Sequence, residues 1–291
     1  MIDLHIHTTY SDGTYDLKKT LEEAKKANVS MISITDHDTI DAYKELKTFD
    51  VSKYYDGEII VGAEFNTIFE KYKFELLGYD FDVNKLENWV ESRYVKEKDL
   101  DLNKEFEILL EASKKHGIKI ENGLFYERSM GWPVDVIYNS IIKYPENKKF
   151  FEDKEWENSK MFFRAATCRI DFPLYIDFSF LYPNAYEVSE KVRNAGGKVF
   201  IAHLFYYPIE DHMNFLDKLR KEKIIDGVEV YHSTFTEEQS NILKEYCHKY
   251  GLYMSGGTDY HGENNNDKHI GTGYGNMKIE DNLINNWHKE I

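Results

Sequence analysis

Cysteine is scarce in this chain of 291 residues: there are two, Cys168 and Cys247. That excludes a disulfide framework and a CxxC metal site, and it suits a reducing compartment. No apolar run is longer than a strand, which argues against a membrane-spanning helix, and the opening residues lack the make-up of a signal peptide. Lys and Arg total 37 against 52 Asp and Glu, a formal charge of −15, with no basic block to offset it locally. A long nucleic-acid footprint rests on neutralising many phosphates, so this balance argues against one. Bound cations could still invert the field inside one pocket. Proline is rare too, at five residues, and Pro133, Pro145, Pro173 and Pro183 all fall in one stretch. No internal repeat or low-complexity tract is evident.

Apolar and aromatic material is plentiful: 42% hydrophobic residues, with 22 Tyr and 18 Phe, ample for a buried core. Ile2, Leu4 and Ile6 alternate with Asp3, His5 and His7, a strand with one apolar and one polar face. "SDGT" then turns the chain. Asp16 is placed to cap a helix running to about Ala27, with Leu17, Leu21 and Ala24 on one side. "MISIT" is the next strand, followed by "IIVGAEF", "FELLGYDF", "KVFIAH", "GVEVYH" and "LYMSGGTD". Helical patterns over Ala185–Ala195, Met213–Lys223 and Thr236–Tyr250 separate the later ones. Strands alternating with helices imply parallel βα units, and about seven of them predict an α/β barrel of TIM-like type. Residues 83–183 break the rhythm with a long charged helix ("DLNKEFEILLEASKKHG") and the proline-bearing stretch. The expected organisation is therefore a barrel in two parts, 1–82 and 184–291, with 83–183 inserted as a mostly helical cap.

Ionisable residues crowd the predicted strand ends. The first strand ends in His5 and His7, the second in Asp36 and His37, the third in Glu64. The fourth carries Glu75, the fifth ends in His203, the sixth in Tyr231 and His232, and the last in Asp259 with His261. In a parallel barrel these ends share one mouth, where active sites are built. Each residue alone has an ordinary explanation: Asp12 beside Gly13 is a turn former, and His203 after "FIA" could be a core histidine. The coincidence is what argues for metal, because so many such groups are costly to crowd unless cations compensate them. His116, His212, His248 and His288 are expected at the surface, and His269 is given no role.

The motifs "DLHIHTTYSDGT", "ITDHDT", "GAEF", "FELLGY", "FIAH", "GVEVYH" and "GGTDYHG" resemble, in order, those of the polymerase-and-histidinol-phosphatase (PHP) family of metal-dependent phosphoesterases. The resemblance implies a distorted (βα)7 barrel holding two to three divalent ions. His5, His7, Glu64 and Asp259 would hold one ion. Asp12, His37 and His261 would hold a second. Glu64 would bridge to a third with His203 and Glu75. Relatives usually carry His at the position of Glu75, and they read "AHPxR" where this chain reads "AHLFYYP". The arginine that helps to grip a phosphate is thus missing, with Arg128, Arg164 and Arg169 as possible substitutes.

The chemistry expected is hydrolysis of a phosphomonoester, or of a short-oligonucleotide phosphodiester, by hydroxide held on the metals. His232, or a metal-bound water, would protonate the leaving oxygen, and Asp36 or Asp38 would orient His37. Imidazole and carboxylate ligands without cysteine suit Mn, Zn or Fe. The resemblance points to a nucleotide-type small substrate such as a 3′,5′-bisphosphonucleotide, or to short RNA, in a cytoplasmic protein of undefined oligomeric state. The alternatives are an amidohydrolase-type C–N hydrolase and a non-catalytic metal-binding module.

Overall fold

The computed structural model describes residues 1–70, 72–94, 102–178, 181–265 and 267–288. Its first sheet is parallel and three-stranded, in the order β1 (Ile2–Ile6), β2 (Met31–Ile34), β3 (Glu58–Ile59). The second has five strands in chain order: β4 (Gly62–Phe69), β5 (Tyr72–Tyr79), β6 (Lys198–Ile201), β7 (Gly227–His232) and β8 (Tyr253–Gly257). β6, β7 and β8 run parallel, but β5 is antiparallel to both β4 and β6.

The all-parallel barrel expected from the alternation of strands and helices is corrected here. A parallel neighbour needs a crossover of a dozen or more residues, and only residues 70 and 71 separate β4 from β5. The chain therefore turns straight back, with Glu70 at φ 48°. The two sheets do not form one closed ladder among the described residues. They meet at two seams. At one, Ile6 bridges to Tyr260, and backbone bonds join His7 N to Tyr260 O and Tyr260 N to His5 O. At the other, His37 bridges to Glu64.

Several predicted helices form as expected. α1 (Leu17–Lys26) is capped by Asp16, whose carboxylate accepts from Lys19 N, and buries Leu17, Leu21 and Ala24. A short α2 (Asp41–Glu45) follows β2, and α3 (Val83–Arg93) follows β5. α4 (Leu102–His116) covers the charged stretch, whose first residue, Asp101, lies outside the described residues. α5 (Pro133–Ile141), α6 (Asp153–Glu157) and α7 (Ser159–Cys168) come next, and α7 packs on β5. α8 (Ala185–Asn194), α9 (His212–Lys221) and α10 (Glu237–Tyr250) alternate with the last strands. Thr236 and Gln239 cap α10 reciprocally, and Gly251 ends it in the left-handed region at φ 66°. No described helix is long and apolar enough to cross a membrane.

The largest apolar cluster joins α1, α8, α9 and α10 to the strands. Ile2, Leu4, Leu77, Tyr79, Phe200 and Trp287 close the opposite end of the strands as a separate cluster. A third cluster draws all its buried members but Ile68 from Phe106–Phe178. Every residue of β1 is buried, so its polar face meets the interior rather than solvent. Asp3, His5 and His7 stand among the core, and something other than water must satisfy them.

Candidate metal centre

Glu64 lies at the middle of the buried polar cluster. It does not end a strand, as expected, but is the third residue of β4, carried inward by its bridge to His37. Its Oε2 lies 3.2 Å from His5 Nε2, 3.3 Å from His7 Nε2 and 3.2 Å from His37 Nδ1. Its Oε1 lies 2.9 Å from His203 Nε2. Asp259 Oδ1 adds contacts of 3.6 Å to His5 Nε2 and 3.3 Å to His7 Nε2. Asp12 faces His261 Nε2 at 3.2 Å, His7 Nδ1 at 3.6 Å and His37 Nε2 at 3.8 Å. Asp12 reaches the cluster because Gly13 folds the loop against β1; a Cβ there would stand 2.7 Å from the His7 carbonyl oxygen.

Three sets of side chains have ligand atoms within 4.8 Å of one another: His5, His7 and Glu64; His7, Asp12, His37 and His261; and Glu64, Glu75 and His203. Buried nitrogens His7 Nε2, His37 Nδ1, His203 Nδ1 and His232 Nε2 have no hydrogen-bond partner. Unpartnered imidazole nitrogens packed against carboxylates suit divalent cations with mixed nitrogen and oxygen ligands. The residues present therefore fit such ions. Asp38, His203 and Asp259 adopt positive φ, at 56°, 25° and 56°, backbone strain of the kind that gathers at functional sites.

Burial opposes charge on all these groups, yet mutual attraction prevails on most. Against burial, the nearby carboxylates of Asp259 and Glu64 hold His7 up at about 10. Against burial, the charges of Glu229 and Glu64 raise His5 well above the usual histidine range. Glu64 is held well below the carboxylate range by His5 and His37, and Asp259 by His261 and Lys268, again in spite of burial. In His37 and His232 burial wins, and both are lowered.

Around this layer lie groups that the sequence reading missed. Glu229 of β7 is fully buried, with Oε1 2.8 Å from His5 Nδ1, and its Oε2 accepts from His203 N at 2.6 Å. Asp3 accepts from Thr258 N and Oγ1, Gly271 N and His5 N. Lys268 is buried, and its Nζ donates to the Asp259 carbonyl at 2.7 Å. The signal for Glu229 and Asp3 was a carboxylate inside an otherwise apolar strand. Lys268 sits in a loop and left no such trace.

Other expectations are corrected. Asp36 does not touch His37: its carboxylate accepts from Thr8 N, Thr8 Oγ1 and Ser11 Oγ, each at 2.7 Å, and so fixes the loop after β1. Asp38 instead accepts from Asn66 N and Nδ2. Arg169 is occupied by Glu152, Glu155 and Asp171. His288 is buried between Asp80 and Glu58, not exposed. His232, by contrast, does face the cluster, with Nε2 3.4 Å from Asp259 Oδ2 and Nδ1 2.8 Å from Thr234 Oγ1.

Residues 3–129 match the family model described as the PHP domain. Over that stretch the chain is similar to PHP domains. The chain is also 24% identical over 272 residues to a Haemophilus influenzae protein named 5′-3′ exoribonuclease, covering 89% of each. Over 81 residues, 28% of each chain, it is 31% identical to the 5′-3′ exoribonuclease Rnm of Escherichia coli. Two solved structures share its fold. One, from Bifidobacterium adolescentis, is described as a metal-dependent phosphoesterase; its TM-score is 0.61 at 20% identity, with 98% of this chain and 94% of that one covered. The other is a Chromobacterium violaceum amidohydrolase with sulfate and no metal, TM-score 0.60 at 18% identity, covering 90% and 87%. These matches support a metal-dependent hydrolase.

Proposed function

We propose that this chain hydrolyses phosphate esters of nucleotides, either a phosphomonoester on a mononucleotide or the terminal phosphodiester of short RNA. The observation that carries the proposal is the Glu64 carboxylate, ringed by four imidazoles within 2.9–3.3 Å. On this reading His5, His7, Glu64 and Asp259 hold one ion, and Asp12, His37 and His261, with His7 beside them, hold another. Divalent ions there would polarise phosphoryl oxygens and lower the pKa of water, the chemistry that phosphoester hydrolysis needs at neutral pH. Mn, Zn and Fe all suit these donors.

The protein's own groups have distinct tasks. Glu229 keeps the His5 proton on Nδ1, so that Nε2 points its lone pair at the cluster. His232, anchored through Nδ1 by Thr234, presents an unpartnered Nε2 and would deliver a proton to the leaving oxygen. Arg164 of α7 lies 3.8 Å over the Tyr206 ring, next to Glu75, and is the arginine best placed to meet a phosphate. It belongs to residues 83–183, read here as a cap that brings its own apolar cluster over the strands. The relatives named as exoribonucleases support a nucleotide-type substrate, and the charge of −15 favours a short one. A cytoplasmic setting agrees with the two unpaired cysteines.

The test is phosphate and nucleotide release by Mn-loaded protein from 3′,5′-bisphosphonucleotides, nucleoside monophosphates, 5′-phosphorylated oligoribonucleotides and histidinol phosphate, with His7→Ala as control. Turnover of a nucleotide class that the variant lacks supports the proposal. Release from histidinol phosphate alone, or silence from metal-replete protein, overturns it. In the second case C–N substrates come next.

A further inference from the structure

Of the three candidate ion positions, the one formed by Glu64, Glu75 and His203 differs from the others in its surroundings. Glu75 is buried, and both of its oxygens are engaged. Oε1 lies 3.2 Å from Lys73 Nζ, and Oε2 accepts from Tyr207 Oη at 2.7 Å. The same Tyr207 oxygen accepts from Glu75 N at 2.9 Å, so the phenol is held from both sides. Lys73 is two residues earlier on β5, on the same face of the strand, with its side chain 13% exposed and its ammonium 5.4 Å from the Tyr182 ring centre. A second fixed cation, Arg164, stands against the Tyr206 ring on the same side.

Charge separates this position from its neighbours. The other two sets draw on Asp12, Glu64 and Asp259, three carboxylates with one ammonium, Lys268, beside them. Around Glu75 the balance differs: two permanent cations, Lys73 and Arg164, offset the two carboxylates Glu64 and Glu75. A divalent ion placed there would be repelled by both in a buried, poorly screened region, and it would have to take Glu75 from partners that already neutralise it.

We infer that Lys73 stands in for a third metal ion, so that the centre takes up two divalent ions and carries a built-in ammonium beside them. Resting on the reading of this cluster as a metal centre, the inference makes the positive charge beyond His203 part of the fold. Chelators cannot remove it, and it lies where the cap supplies Arg164. Lys73 and Arg164 together would receive an anionic group of the substrate that the two ions do not reach.

The experiment is a count of metal per chain. Wild-type protein, Glu75→Gln and Lys73→Met are loaded with excess Mn, freed of loose ions and measured by inductively coupled plasma mass spectrometry, with titration calorimetry for the number of binding events. Two ions per chain are expected in both wild type and Glu75→Gln. Three in wild type, falling to two in Glu75→Gln, overturn the inference while leaving the metal-centre reading intact. No tightly bound ion in wild type overturns that reading and this inference with it. Lys73→Met, where it folds, is expected to gain a third binding event as Glu75 is released; a folded variant that still takes two overturns the role given to Lys73. If Lys73→Met does not fold, the first two proteins decide the matter.

Discussion

His5 Nδ1 and Glu229 Oε1 are 2.8 Å apart with both side chains fully buried, so a carboxylate on β7 anchors a β1 histidine by one nitrogen and turns the other toward Glu64. Such partners of metal-binding histidines commonly account for about 10–100-fold in metal affinity. Glu229→Gln is expected to weaken Mn binding by about that factor, read by competition with a chelator, with the fold retained by circular dichroism. Unchanged affinity would mean that the contact serves packing alone.

Glu64 is shared by four imidazoles at 2.9–3.3 Å. Glu64→Gln keeps the shape but removes the charge. Turnover is expected to drop by about 1000-fold or more, near 4 kcal/mol of transition-state stabilisation. Steady-state rates at saturating Mn check this, and a loss under tenfold would move the centre of the chemistry elsewhere.

Metal uptake is expected to release protons. His7, raised to about 10 by Asp259 and Glu64 against the pull of burial, carries a proton at neutral pH that a cation must displace. Affinity for Mn is therefore expected to rise with pH. Calorimetry in buffers of different ionisation enthalpy counts the protons released, and pH-independent binding with none released would contradict the expectation.

Much of this centre could be read from the sequence, because its ligands stand on short motifs with strong local patterns. His5, His7, His37, Glu64, His203, Asp259 and His261 all stand on those motifs and lie within one buried cluster. Less legible was anything depending on which strand lies beside which. The reversal at residues 70 and 71 places Glu75 opposite Asn66 in mid-sheet, and no periodicity reports that a neighbour is antiparallel. Asp36 was read through its neighbour His37, yet its carboxylate turns to Thr8 and Ser11 across the seam between β1 and β2. Glu229 found its partners His5 and His203 only through contacts distant in sequence.

Gly257 is where β8 comes up against β1. A Cβ there would stand 2.3 Å from His5 N and 2.4 Å from His5 Cβ. Gly257→Ala is expected to destabilise the fold by about 1–3 kcal/mol or more, as overpacking does, and to weaken metal binding by displacing His5. Thermal unfolding of the metal-free protein isolates the first effect; an unaltered midpoint would show that the strands separate freely.

His288 bonds to Asp80 and Glu58. Burial lowers its pKa, but these two carboxylates outweigh that and raise it above the ordinary value. Its stabilising contribution is thus complete below about pH 6.5 and is lost as pH rises through the folded-state value. In urea unfolding, wild type should exceed His288→Gln by more at about pH 6 than at about pH 9. A gap that widens with pH would reverse the assignment.

The seam between Ile6 and Tyr260 brings the earliest ligands beside the latest. During translation, β1 therefore leaves the ribosome with Asp3, His5 and His7 committed to the interior and waits for Glu64, then Glu229, then Asp259. Contacts so far apart in sequence form late and slowly. A polypeptide halted before β8 carries unmatched buried charge where the finished protein has its centre. Completion of β8 is thus what lets the polar face of the first strand be buried beside matching charge.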